Sequence, residues 1–177
     1  MPSILRYIPF SENLLHSTSV QGFDCGDKYW EKEVSGWLKV PDEWLKLLCE
    51  VWLYVNEWDE LVGFGSLAPT KWKWPDQTSP RVPGNLIPAM ALGKGFRKVP
   101  KEPDSKRYSI QIIDHLISET RNHPERQRFL GLYVHPDNEK AIGLYREVGF
   151  IDFHHRWLNK EINREYLSMV LKLPSIE

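Results

Sequence analysis

Residues 130–150, LGLYVHPDNEKAIGLYREVGF, constrain this chain more than any other stretch. Residues 129–134 form a continuous apolar run of strand length, which suits a buried strand. A tight turn follows, in which Asp137 or Asn138 can cap a helix by accepting a hydrogen bond from a first-turn amide. Over residues 139–148, Ala141, Leu144, Tyr145 and Val148 recur at i, i+3, i+4 and i+7 and so share one helical face. Gly149 supplies a left-handed exit, and Phe150 opens the next extended segment. A strand–helix–strand unit like this buries its helix only against a larger sheet, so the remaining segments must supply strands.

They do. Residues 3–9 read as a strand. Residues 17–26 are a turn-rich approach to a helix with Asp27 as N-cap and Tyr29, Trp30, Glu33, Val34 and Trp37 at helical spacing. Pro41, Asp42 and Glu43 open a second, short helix with Trp44, Leu47 and Leu48 as its apolar stripe. Residues 51–56 and 61–67 form a hairpin, and 69–84, with four prolines and no periodicity, read as a surface loop. Residues 85–97 read as one strand, and 109–121 as a helix with Ile112, Ile113, Leu116 and Ile117 on one face. Residues 151–157 and 165–173 close the chain as strands. Helices interleaved with a mixed sheet make an α/β (α+β mixed-sheet) domain.

With 177 residues and a hydrophobic fraction of 41%, the chain can bury one core and is short for two, so residues 1–177 are expected to form a single domain. Two cysteines, Cys25 and Cys49, point to a reducing, cytoplasmic setting. The amino terminus lacks a basic region, a long apolar stretch and a cleavage site, and no apolar run approaches the roughly 18 residues of a membrane span. The His135–Asn138 turn lacks metal-ligand spacing, so no metal is expected.

The 130–150 segment closely resembles the motif near the C-terminus of the GNAT superfamily of acyl-CoA-dependent N-acyltransferases. That motif is a hydrophobic strand, V-x-P-x-N, then A-x-x-L-Y-x-x-x-G-F. Val134, Pro136, Asn138, Ala141, Leu144, Tyr145, Gly149 and Phe150 all match it. The resemblance implies a GNAT-type fold whose neighbouring central strands splay into a slot for pantetheine. It implies acetyl-CoA as co-substrate and a primary amine as acceptor. It further implies that Asn138 contacts the cofactor and that Tyr145 is the general acid for the departing CoA thiolate. A positioned phenol suits that step, because aminolysis of a thioester expels a thiolate. Residues 85–97 resemble the strand whose backbone grips pantetheine, with Leu92, Gly93 and Lys94 at its end.

The family's glycine-rich diphosphate loop has no counterpart here. The corresponding residues, 103–111, read PDSKRYSIQ. Small Ser105 and Ser109, with Lys106, Arg107 and Tyr108, would have to present amides and positive charge instead. Between residues 71 and 107 there are nine basic and three acidic side chains in a chain of net charge −1, a distribution that gathers anions. The departure motivates another reading, a GNAT-fold binding module without turnover.

No general base stands out. His154 and His155 fall on a strand where alternation sends one to each face, so one of them could meet the cleft. The stretch Phe23–Gly26 (F-D-C-G) resembles the N-terminal F-x-C-G of GNAT toxins that acetylate aminoacyl-tRNA, as do Ile87-Pro88 and Leu92-Gly93, and the basic 71–107 stretch would suit an RNA backbone. Cys25 is read more simply as a small buried residue. Trp30, Trp37, Trp72 and Trp74 could line an acceptor pocket, pack in the core or, for the last two, meet a second copy in a homodimer.

Overall fold

The structure, a computed structural model, describes residues 4–72, 81–97, 106–126, 128–160 and 163–174. Its elements follow the order β1 (Arg6–Pro9), α1 (Glu12–Leu15), α2 (Thr18–Gln21), α3 (Tyr29–Trp37), α4 (Pro41–Lys46), β2 (Glu50–Val55), β3 (Leu61–Trp72), β4 (Val82–Ile87) and β5 (Met90–Leu92). A 3₁₀ turn (Lys94–Phe96) leads on to α5 (Tyr108–Asn122), β6 (Phe129–Val134), α6 (Glu139–Val148), β7 (Ile151–Asn159) and β8 (Arg164–Lys172). The chain is a mixed α/β protein. It forms two compact units, one of Met1–Ala68 with Ala89–Leu116, the other of Pro69–Pro88 with Ile117–Glu177.

In the first unit, β1, β2, β3 and β5 pair antiparallel in that order. The hairpin joining β2 and β3 follows the sequence expectation, and Asn56 and Asp59 in its turn absorb the reversal: the Asn56 side chain accepts from the amides of Trp58 and Glu60. The α5 residues Ile112, Ile113 and Leu116 are fully buried. Gly63 and Gly65 let this helix approach β3, since a Cβ on Gly65 would stand 3.1 Å from Leu116. Val20, Phe23, Cys25, Leu38, Trp44, Leu53 and Phe64 form the core on which α3 and α4 pack. Trp37 stacks on Phe64 at 5.9 Å and belongs to that core.

In the second unit, β4 runs parallel to β6, and β8 lies antiparallel between β6 and β7. Its core gathers around Trp72, Phe129 and Val170. The sequence expectation ended the hairpin at residue 67 and read 69–84 as a loop. Instead, β3 continues through Pro69 to Trp72, and β4 begins at Val82. The reason is Trp72 itself: its ring is buried against Phe129, Tyr133 and Phe153, and glycine at position 131 leaves room for it. Trp72 is therefore core. Trp74, by contrast, lies outside the described residues.

The single strand expected over 85–97 is two strands. Pairing of β4 with β6 ends at Ile87↔Leu132, and after Pro88 the chain pairs as β5 with β3, from Met90↔Gly65 to Leu92↔Gly63. Proline cannot donate to a ladder, so a break at Pro88 is expected. The segments read as strands at 129–134 and as a helix at 139–148 have the bounds expected of them. The four-residue helix α2 falls in the 17–26 stretch read as turns, and α1 precedes it in residues given no assignment, because four residues carry too little periodicity to reveal a helix.

Candidate active site

Tyr145 sits two turns into α6, 8% exposed, with its ring 5.6 Å from Phe150. Burial pushes the phenol up to about 12. Its hydroxyl has no hydrogen-bond partner among the described residues. The group is therefore a protonated phenol with an unused donor. Ile142 shares the buried face with Tyr145, while Ala141, Leu144 and Val148 are only half-buried.

Asn138, not Asp137, caps α6: its side-chain oxygen accepts from the Ala141 amide at 3.4 Å. At the other end, Gly149 has φ +106 and its amide bonds to Arg146 and Tyr145 carbonyls, the left-handed exit read from the sequence. His135 shapes the preceding turn, accepting from the Asp137 amide at Nδ1 while its carbonyl takes the Asn138 amide. On β6 the ladder to β4 stops at Leu132, while Tyr133 and Val134 continue against β8 only.

The other expected cofactor residues lie in the first unit. Leu92 ends β5, the Gly93 amide donates to the Val62 carbonyl at 2.8 Å, and the Lys94 amide donates to the Asp24 carbonyl at 2.9 Å. Ser66, fully buried on β3, holds the start of β5: its hydroxyl donates to the Ala89 carbonyl at 2.8 Å and accepts from the Ala89 amide at 3.1 Å. Sequence reasoning missed Ser66, whose only signal is a hydroxyl within an apolar strand run. Ser66→Ala strips the Ala89 amide of its buried acceptor and is expected to cost about 1–3 kcal/mol in urea unfolding. A change within error would show that the break after Pro88 holds itself in place.

At the start of α5, Lys106 and Arg107 are exposed, Ser109 is half-buried and Tyr108 is buried against Phe96 at a ring distance of 6.4 Å. The Arg107 carbonyl accepts from the Ile110 and Gln111 amides, so Tyr108 and Ser109 form the open first turn, and the Ser109 amide has no partner among the described residues. Ser105 lies outside the described residues.

The basic stretch is less of an anion trap than its composition implies. Lys94 pairs with Asp27 at 2.9 Å, Arg97 with Glu31, and Lys106 with Asp114 at 3.0 Å. Lys73, Lys98 and Lys101 lie outside the described residues. Asp27, expected as the α3 cap, is drawn away by Lys94. Glu31 does the capping, accepting from the Lys28 amide at 3.0 Å. Burial pushes the Glu31 carboxyl up, but Arg97 and the Lys28 amide more than offset this and leave it lowered.

These contacts join the two short motifs that the sequence placed far apart. Phe23–Gly26 docks on Gly93–Arg97. Cys25 is 2% exposed, with its sulfur on the Glu31 carbonyl at 2.9 Å and on the Ser35 hydroxyl at 3.0 Å. The small buried role read for Cys25 is what the structure shows. Gly26 has φ +144, and a Cβ there would run into the Glu31 carboxylate. Gly26→Ala is expected to cost about 2–3 kcal/mol, from backbone strain plus eviction of a carboxylate held by two partners. Thermal unfolding checks this, and a variant of wild-type stability would show that the knot is loose.

His154 and His155 fall where the register slips: four steps on β7, from Asp152 to Arg156, answer two on β8. Simple alternation therefore does not assign them faces, and their side chains lie outside the described residues. No group of three or more metal-ligating side chains occurs among the described residues, and none of their helices is long and apolar enough to cross a membrane.

No family model matches the chain, and no curated protein does. Solved structures do. A bacterial toxin superposes with a TM-score of 0.68 at 12% identity, over 96% of this chain and 91% of its own. A tyrosine-to-phenylalanine mutant of the toxin AtaT, bound to the C-terminus of the antitoxin AtaR and acetyl-CoA, gives 0.65 at 12% identity over 95% and 92%. An acetyltransferase of the GNAT family from Staphylococcus aureus Mu50 gives 0.61 at 13% identity over 96% and 99%. Identities this low speak to architecture, and on that ground the chain has the fold of the GNAT acetyltransferases.

Proposed function

We propose that this protein transfers an acetyl or other short acyl group from acyl-CoA to a primary amine. The observation that carries the proposal is Tyr145, a buried and protonated phenol with an unused donor at the motif position that the family reserves for its acid. The amine nitrogen attacks the thioester carbon, and the C–S bond breaks. The sulfur takes up the electron pair, and Tyr145 Oη donates to it. Tyr145 keeps its proton throughout, and the proton lost by the amine passes to solvent. Asn138 offers its amide group to the pantetheine, as do the backbone groups of Tyr133 and Val134 beyond the last β4 pair. The first turn of α5 at Tyr108 and Ser109, with Lys106 and Arg107 beside it, receives the diphosphate in place of a glycine loop. Leu92, Gly93 and Lys94 complete the strand end that flanks the acyl group. Because both backbone groups of Ala89 are held by Ser66, the Ala89 amide is not the one that polarises the thioester carbonyl.

Titrating the protein with acetyl-CoA by calorimetry tests this. Binding in the low micromolar range, one per chain, is expected, about 8 kcal/mol. No binding at millimolar ligand would leave a GNAT fold that serves as a binding module for something else.

A second reading concerns the acceptor. The resemblance of Phe23–Gly26 to the F-x-C-G of the GNAT toxins, together with the likeness in fold to AtaT, supports acetylation of aminoacyl-tRNA in the manner of a toxin, in the cytoplasm. Expression should then arrest growth, and labelled acetyl should appear on charged tRNA. Normal growth at high expression would remove this reading while leaving acetyl transfer to other amines intact.

A further inference from the structure

The core of the second unit runs out to the surface along one row of rings. Trp72 lies 6.1 Å from Tyr133, Tyr133 stacks on Trp157 at 5.1 Å with 30° between the planes, and Trp157 meets Tyr166 at 5.6 Å. Trp72 is buried, Tyr133 and Tyr166 are half-buried, and Trp157 is 39% exposed. The register puts the last three rings on one sheet face: Trp157 pairs with Tyr166, and Tyr133 pairs with Ser168, one side-chain repeat further along β8. The opposite face belongs to α6, whose Arg146 bonds Asp152 and whose terminal Gly149 lies beside Leu171.

Two features connect this row to the proposed chemistry. Tyr133 is the first β6 residue past the last pair with β4, so the row starts where those two strands part. The register slip in β7 then aims its outer end. An unbroken ladder from Asp152↔Met169 would set His155 opposite Tyr166, and the two extra residues put Trp157 there instead. Bulges recur at sheet edges and beside active sites, where they re-aim a side chain. Edge strands are commonly blunted with charge, yet the end strand β7 presents an indole. Among the described residues on this face of β6, β7 and β8 there is no carboxylate, because Asp152 and Glu165 lie on the α6 face, bonded to Arg146 and Arg156. The face therefore makes no salt bridge to an ammonium, the form of an amine that cannot attack. What it offers is π surface, on which another ring stacks offset or edge-on.

From this geometry we infer that Trp157, with Tyr133 and Tyr166 behind it, is a shelf for the aromatic body of the acceptor, and that the amines this protein acylates are arylalkylamines. The inference rests on the acyl-transfer reading and deepens it by naming the acceptor class. The test compares 2-phenylethylamine with 2-cyclohexylethylamine and n-butylamine as acceptors at saturating acetyl-CoA. The phenyl amine is expected to exceed its saturated analogue about threefold to tenfold in kcat/KM. Trp157→Ala should raise KM for the phenyl amine about tenfold, hold kcat, and leave n-butylamine within about twofold, whereas a ring that only packed would alter all three acceptors alike. Equal use of the phenyl and cyclohexyl amines overturns the inference, as does a variant that slows every acceptor in proportion. Calorimetry of 2-phenylethylamine with CoA present reads the shelf without turnover. If no amine is acylated, but 2-phenylethylamine binds and Trp157→Ala weakens it, acyl transfer fails and the arylalkylamine site stands. If n-butylamine is acylated and 2-phenylethylamine neither reacts nor binds, acyl transfer stands and the shelf fails. A dimer in sedimentation that Trp157→Ala dissolves would mean that a second copy covers the indole, and would overturn the inference too.

Discussion

Tyr145→Phe is expected to lower the turnover number about 100-fold or more while acetyl-CoA affinity stays within about threefold of wild type. The substitution removes one oxygen from a buried ring and leaves the ring's packing against Phe150 in place. That oxygen bonds to no other described residue, so its loss breaks no internal hydrogen bond, and stability should hardly change. A fall in turnover therefore reports chemistry and not unfolding. The pH profile separates this role from simple packing. Burial holds the phenol near 12, so the group is fully protonated across the working range. The wild-type rate should rise with pH as the acceptor amine loses its proton, and no falling limb from Tyr145 should appear below about pH 11. A free thiol has a pKa near 8.5, so complete proton transfer from a phenol at about 12 is uphill at equilibrium. Tyr145 thus works as a hydrogen-bond donor that strengthens as charge builds on sulfur. Turnover unchanged in the phenylalanine variant would end the assignment.

Much of the second unit was legible from residues 129–150, because a buried strand, a capped helix and a glycine exit each leave a local signature. The capping Asn138, the φ of Gly149 and the bounds of β6 and α6 follow from rules that act within a few residues. What was not legible depended on distant partners. The extension of β3 to Trp72 is decided by a glycine at position 131, across a sheet. The division at Pro88 is fixed by Ser66, more than twenty residues upstream, whose hydroxyl satisfies both backbone groups of Ala89. Asp27 loses its capping role to an ion pair with Lys94, which no helix-start rule anticipates. The same pairing explains why a count of basic residues overstated the positive potential: Lys94, Arg97 and Lys106 each meet an acid that lies outside the 71–107 stretch. The register slip in β7 defeats alternation for His154 and His155 because alternation assumes an unbroken ladder.

Acidification should destabilise the protein through His115, and substituting this one residue should remove the effect. His115 on α5 is part-buried in an aromatic setting: Tyr7 stacks on it at 3.8 Å, Trp52 meets it edge-on at 5.3 Å, and the Tyr54 hydroxyl bonds its Nδ1 at 2.8 Å. Loss of water around the imidazole lowers its pKa to about 4 from 6.5. The folded state therefore binds its proton more weakly than the unfolded state. Above pH 6.5 both are neutral and the residue contributes nothing to pH dependence. As pH falls below 6.5, the unfolded chain takes up a proton that the folded chain refuses, and stability drains away until the folded form protonates near pH 4. The shift corresponds to at most about 3 kcal/mol, reduced by partial exposure of the ring. The folded carboxylates impose their own acid dependence on the same scan, so the informative quantity is a difference. Urea unfolding of wild type and His115→Gln at pH 7 and pH 4.5 should show wild type losing about 1–3 kcal/mol more than the variant, because glutamine keeps an acceptor for Tyr54 but cannot titrate. Parallel losses in the two proteins would mean that His115 already finds enough water, or a compensating partner, to protonate as readily in the fold as outside it.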